Sequence, residues 1–152
     1  MRQPAALLAA CLLMLGCGVA LAAAPAQESS PALTAQDAWI RATPGSDVAA
    51  AYLTLHNAGT TPLVVLGVRS PRAAQAMIHE TTLANGQSTM RPHEHLAIAG
   101  GATVRLAPGG LHIMLHMLTR PLVAGEEVPL VLLLEGGGTL EVSARVRPLG
   151  AE

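Results

Sequence analysis

The sequence has no phenylalanine and no lysine, one tryptophan (Trp39) and one tyrosine (Tyr52). A hydrophobic core must therefore come from Leu, Val, Ile, Ala and Met, and there are no aromatic platforms on which bases could stack. Both cysteines, Cys11 and Cys17, lie near the N-terminus. Beyond Cys17 the chain can form no disulfide and offers no thiolate to a metal. Charge is sparse, with nine arginines against ten acids. No basic face stands out, so nucleic acid is not an expected partner. Outside the first segment there is no long 3.6-residue apolar period with caps, and so no expected helix.

The first segment reads as an export signal. Arg2 supplies the positive start, Ala5 to Val19 is apolar, and Ala20-Leu21-Ala22 has the small-x-small form of a cleavage site. It is too short for a membrane span. Residues 1–22 are the expected signal peptide, which sends the mature chain to the periplasm with no membrane-spanning segment. Met14-Leu15-Gly16-Cys17 is a looser match to a lipoprotein box, with Met in place of the usual Leu, and gives lipid anchoring at Cys17 as a second processing outcome. Loss of Arg2 leaves eight arginines against ten acids.

Residues 23–36, rich in Ala, Pro and Ser, read as a flexible leader. Residues 37–148 read as one domain, followed by a short tail, 149–152. Within the domain, short apolar runs alternate with turn signals. The expected strands are Ala38–Ala42, Ala49–His56, Leu63–Val68, Ala76–Thr82, Ser88–Arg91, Leu96–Ile98, Ala102–Leu106, His112–Leu118, Glu127–Leu134 and Thr139–Arg147. Asn85-Gly86 between the fourth and fifth is a strong hairpin dipeptide. Many short strands at this spacing predict an all-β sandwich or barrel.

The residues that carry chemistry are bunched. After the signal segment there are four methionines and six histidines, and all but His56 fall between Met77 and Met117. In an extended chain successive side chains alternate faces. His112, Met114 and His116 therefore share one face, and Ile113, Leu115 and Met117 the other, which is expected to be core. In the fourth strand Met77 and His79 share a face opposite Ile78 and Glu80. Thioethers are soft, neutral donors suited to Cu(I), and neutral imidazole suits copper as well. A His/Met set needs no thiol and can work in an oxidising compartment. Without cysteine, a blue-copper electron-transfer site is excluded.

The spacing His79, ten residues, Met90, twenty-one residues, His112, one residue, Met114 resembles the H-x10-M-x21-H-x-M signature of the periplasmic PCu(A)C copper chaperones. The resemblance extends to Ala38-Trp39-Ile40-Arg41-Ala42, Ala50-Ala51-Tyr52-Leu53 and Leu106 to Leu115, and covers about residues 36–148. It implies a cupredoxin-like Greek-key β-sandwich with one accessible Cu(I) site. The ligands it implies are His79, Met90, His112 and Met114. It further implies a carrier that helps assemble the CuA centre of cytochrome c oxidase. The implied partners are a Sco-type thioredoxin-like protein and the CuA-bearing oxidase subunit. The His/Met-rich tail that some relatives add is not expected here.

Several residues remain outside that set. Met77 reads as core filler or a spare thioether. His93 and His95, flanking Glu94, offer a secondary site for Cu(II) or Zn²⁺. His116 is two residues past Met114, about 7 Å along a strand, and reads as a surface histidine. His56 reads as structural. His79-Glu80-Thr81-Thr82-Leu83 is not H-E-x-x-H, which argues against a zinc protease. Two thioethers disfavour the Cu(I)/Cu(II) cycling that a copper oxidase needs, so no enzymatic activity is expected. A copper buffer with no dedicated acceptor, and an adhesion-type sandwich without metal, are the competing readings.

Overall fold

The computed structural model describes residues 32–150; the expected signal peptide, Cys17 and most of the leader lie outside them. Ten strands form: β1 (Leu33–Arg41), β2 (Ala49–Asn57), β3 (Leu63–Arg69), β4 (Ala73–Ala84), β5 (Gln87–Pro92), β6 (Leu96–Ile98), β7 (Thr103–Leu106), β8 (Leu111–Leu118), β9 (Glu127–Leu134) and β10 (Thr139–Arg147). A single 3-10 turn, Glu135–Gly137, joins the last two. Among the described residues no helix is long and apolar enough to cross a membrane. Every expected strand is present. β1 begins at Leu33, so residues 33–36 belong to a strand and not to the leader. β4 is also longer than its apolar run suggests, because its outer half is stabilised by the hairpin with β5.

The strands make one continuous hydrogen-bonded sheet in the order β5-β4-β8-β2-β1-β10-β9-β3-β6, with β7 paired to β2. β1 and β10 run parallel, and the other pairs are antiparallel. The sheet closes around a core in which Ile40, Leu53, Leu55, Ile113, Leu115, Val128, Leu130 and Leu132 are buried. Each such side chain contributes about 1.5–3 kcal/mol through removal from water.

One local feature sets which residues of β1 lie on the face beside Tyr52. In β1 the register shifts between Gln36 and Trp39, and Asp37 adopts a left-handed φ of 52°. This bulge reverses the alternation. Leu33 and Ile40 both reach the core despite their odd separation, and Trp39 and Arg41 share the opposite face, beside Tyr52 and Ala50, where Trp39 and Tyr52 are themselves buried. At the other end of the sheet, buried Asn57 ties two loops together. Its Nδ2 donates to the carbonyls of Thr61, Ile98 and Ala99 at 2.8–3.2 Å, and its Oδ1 accepts from Gly59 N at 3.0 Å. The amide is thus satisfied and its burial is not costly.

Candidate metal centre

β4 and β8 are antiparallel neighbours, and their register puts like beside like. His79 lies opposite His112, Met77 opposite Met114, and Gln75 opposite His116. Directly paired residues share a face. The reverse face carries Ile78 against Ile113, in the core. The β4–β5 hairpin, turned by Asn85 and Gly86 in left-handed conformations, returns Met90 opposite Thr81. Met90 is therefore the diagonal neighbour of His79, within reach of a long side chain. It is half exposed, on an edge strand exposed throughout.

The His112 ring is buried, and its Nδ1 lies 2.9 Å from Gly110 O. A carbonyl only accepts, so Nδ1 carries the proton and Nε2 keeps its lone pair. This carbonyl contact is the usual way a metal-binding imidazole is oriented. The same Gly110 oxygen accepts Thr81 N–H at 3.1 Å, which ties the base of the hairpin to the imidazole. The ring of His79 stands 5.9 Å from that of His112, nearly perpendicular at 86°. His79 Nδ1 is buried and has no hydrogen-bond partner among the described residues. An orphaned buried nitrogen costs about 1–3 kcal/mol, which a bound ion would offset. Burial lowers the His79 pKa below the ordinary imidazole value, with further lowering from His112 and His116. The neutral, ligating form is favoured.

Among the described residues no three His, Cys, Asp or Glu side chains are grouped as they would be for a hard or borderline metal. The donors beside the two imidazoles are thioethers, and such a mixed set suits Cu(I). Met114 also borders a shallow depression of about 280 Å³ with Arg41, Ala50 and Tyr52, which leaves one side of the site approachable.

The chain matches a family model described as "Putative lipoprotein LpqE-like" over residues 33–146. Among curated proteins, "Putative lipoprotein Lxx21020" of Leifsonia xyli subsp. xyli (strain CTCB07) is 37% identical over 138 residues, spanning 87% of this chain and 81% of that one. The solution structure of Cu(I)-bound DR1885 from Deinococcus radiodurans superposes with a TM-score of 0.63 at 34% identity, over 80% of this chain and 81% of that one. The chain is a PCuAC-type member of the LpqE-like family. A copper-bound PCuAC domain from PmoF2 shares the fold, with a TM-score of 0.64 at 22% identity, over 77% of this chain and 93% of that domain. The fold is the cupredoxin-like one that the sequence led us to expect.

Within this PCuAC-type domain, adjacent strands bring together His79, His112 and Met114, and Met90 approaches from the hairpin. Met77 is placed on the same face, opposite Met114, and is not simple core filler. His93 and His95 border a cleft of about 330 Å³ with Met77 and Glu94, but their donors do not gather into a three-residue group. His93 is instead held by its own N–H, which donates to Ile78 O at 2.8 Å, and its Nδ1 stands 3.9 Å from Glu80 Oε2. His56 Nδ1 bonds Thr103 Oγ1 at 3.0 Å across β2 and β7, away from the site.

Two expectations need correction. Met117 is half exposed and not core, because its left-handed φ of 52° breaks the alternation of β8. His116 is not remote from the site: its ring centre is 6.1 Å from that of His79. Backbone spacing misleads here, because side chains lean along a strand. A further layer was not foreseen. Tyr52 lies 6.4 Å from the His112 ring and stacks on Trp39 at 4.5 Å. The guanidinium of Arg147 lies 4.9 Å from the Trp39 ring centre, and that of Arg41 lies 5.5 Å from the Tyr52 ring centre. The sequence signals were the position of Trp39 and Tyr52 on expected strands and their place in the segments that carry the family resemblance; their pairing depends on the bulge at Asp37.

Proposed function

We propose that this protein is an exported Cu(I) carrier that binds the ion through His79, Met90, His112 and Met114. The observation that carries this reading is the cross-strand His79–His112 pair. One ring is locked with Nε2 free, the other has an orphaned nitrogen, and Met114 follows one step along the same face. A set of neutral donors takes up Cu(I) without releasing a proton from a thiol. Support also comes from DR1885, which was solved with Cu(I).

The function is delivery by ligand exchange. A partner's cysteine or methionine enters beside half-exposed Met90 or along the depression next to Met114, and displaces the carrier's donors one at a time. The acceptor we favour is the CuA centre of cytochrome c oxidase, with a Sco-type protein as companion. A copper buffer without a dedicated acceptor is the competing role. The site is a carrier's and not an oxidase's, since thioethers disfavour Cu(II) turnover. Export follows from the N-terminal segment, and the lipoprotein descriptions of the family and of the Leifsonia protein favour anchoring at Cys17 over simple cleavage near Ala22.

The deciding measurement is Cu(I) affinity by competition with a chromogenic chelator. Met114→Ala is expected to lose at least about tenfold, and an unchanged affinity would sink the ligand assignment. Transfer of copper into an apo CuA domain, with and without a Sco-type protein, separates chaperone from buffer. Oxygen consumption by the copper-loaded protein tests for an enzyme.

A further inference from the structure

Tyr52 belongs to two neighbouring concavities. One is the depression beside Met114, which it lines with Arg41. The other is a larger groove of about 690 Å³, lined by Trp39, Tyr52, Arg105, Pro108 and Arg147 among others. Strand pairing explains the placement. Trp39 lies opposite Tyr52, Arg41 opposite Arg147, and Arg105 opposite Thr54, two residues along β2 from Tyr52 and on its face. These arginines come from three distant stretches of chain, so local sequence shows no basic run. Guanidinium-bearing positions thus reach from the groove to the side on which Met114 can be approached.

The groove holds an excess of positive charge. Among the described residues, ion pairs join Arg72 and Arg120 to Glu126 and His93 to Glu80, and none involves Arg105 or Arg147. Asp37 is the one acidic residue lining the groove. Arg147 is held over the Trp39 ring at 4.9 Å, and Arg105 is exposed. A guanidinium already ordered on an aromatic ring loses little freedom when it takes a carboxylate in a two-pronged pair. Tryptophan, tyrosine and arginine together are also the residues that anchor protein interfaces. Nucleic acid fits less well. Trp39 and Tyr52 are buried and turned to each other and to guanidinium groups, so their faces are not open for bases to stack on.

We propose that this groove docks an acidic segment of the protein that exchanges copper with this one, with the segment's carboxylates paired to Arg105 and Arg147. The inference deepens the carrier reading and rests on it. Because Tyr52 lines both concavities, a segment seated in the groove brings the rest of its protein against the Met114 side of the metal site. The arginines then serve the exchange in two ways. They steer the partner to the site from a distance, and they hold it in register while its donors enter.

The test has two arms. In the first, copper-free mature protein is titrated with labelled hexaglutamate, hexalysine and oligothymidylate, read by anisotropy and by Trp39 emission. Hexaglutamate should bind saturably and change the emission, and hexalysine should not bind. Arg105→Glu and Arg147→Ala should each weaken hexaglutamate by about fivefold or more, while Cu(I) affinity in the chelator competition moves by less than about twofold. Since Arg105 is exposed, its variant keeps the result readable if Arg147→Ala disturbs Trp39. In the second arm, Cu(I) transfer to an apo CuA domain should slow by about tenfold or more between about 0.01 M and about 1 M salt, as the screening length falls from about 30 Å to about 3 Å. Arg105→Glu should slow transfer at low salt. The inference is overturned if hexaglutamate binds both variants as it binds wild type, if hexalysine binds equally well, if oligothymidylate binds more tightly than hexaglutamate, or if transfer is indifferent to Arg105. If no copper reaches the CuA domain, that acceptor is wrong and the peptide arm decides. A protein that binds Cu(I) through Met114 but ignores hexaglutamate defeats this inference alone; one that binds no Cu(I) defeats the carrier reading, and with it the copper-exchanging partner.

Discussion

His79 and His112 stand directly opposite each other across β4 and β8, with ring centres 5.9 Å apart and planes at 86°. Two antiparallel strands thus deliver two imidazoles at a separation that suits one ion. We expect His79→Ala and His112→Ala each to lower Cu(I) affinity by about 10–100-fold, with the fold retained by circular dichroism. Equal affinity in either variant would show that the pair does not bind the ion.

Trp39 is the only tryptophan, and it contacts the site through one intermediary, Tyr52. Loading with Cu(I) should therefore change Trp39 fluorescence in a saturable, one-to-one manner. Tyr52→Leu should reduce the amplitude while leaving a measurable copper affinity. An emission spectrum that does not respond to copper would mean that the aromatic layer is not coupled to the ligands.

Gly100 has an ordinary backbone conformation, but a Cβ there would run into the backbone carbonyl of Thr60. Backbone cannot move aside as a flexible side chain can. Gly100→Ala should therefore destabilise the domain by about 1–3 kcal/mol, read as a lower denaturant midpoint, with Cu(I) affinity unaltered. A wild-type midpoint would mean that the loop shifts freely.

Met117 holds a left-handed backbone while half exposed. A non-glycine residue there costs about 1–2 kcal/mol, and little apolar burial offsets it. Met117→Gly should raise stability by about 1 kcal/mol after allowance for the freer unfolded chain. A loss of stability would show that the methionine side chain makes a contact worth more than the strain.

Glu126 accepts from Arg72 at 2.7 Å and from Arg120 at 2.9 Å. Desolvation raises its pKa, but the hydrogen bonds and charges of the two arginines outweigh this and the net shift is downward. Its contribution to stability is therefore present above the ordinary value of 4.5 and fades as pH falls through the lowered one. Glu126→Gln should be less stable than wild type at pH 7, and the two should converge in acid. Parallel stability curves from pH 7 to pH 3 would refute the role.

The strands were legible because turn residues such as Asn85-Gly86 and Pro108-Gly109-Gly110 punctuate apolar alternation in local sequence. The His79/Met90/His112/Met114 set was legible because its spacing matched a known signature. What local pattern could not reveal was set by pairing and by backbone irregularity. The approach of His116 to His79 depends on side-chain lean across two strands. The exposure of Met117 depends on one left-handed residue, and the Trp39–Tyr52 layer depends on a register shift in β1.

That register shift also makes the conformation of β1 more constrained than its length. Straightening the strand between Gln36 and Trp39 with every residue kept would impose plain alternation across an odd separation and set the two halves of the strand at odds. With Leu33 kept inside, Ile40 would face solvent and Trp39 would be driven into an aliphatic core. With Ile40 kept inside, Leu33 would leave its place against Asn57. The left-handed residue at Asp37 is thus what lets an odd-spaced strand turn both ends to the core, and a one-residue deletion there, by making the Leu33–Ile40 separation even, is the change a regular strand absorbs without a bulge.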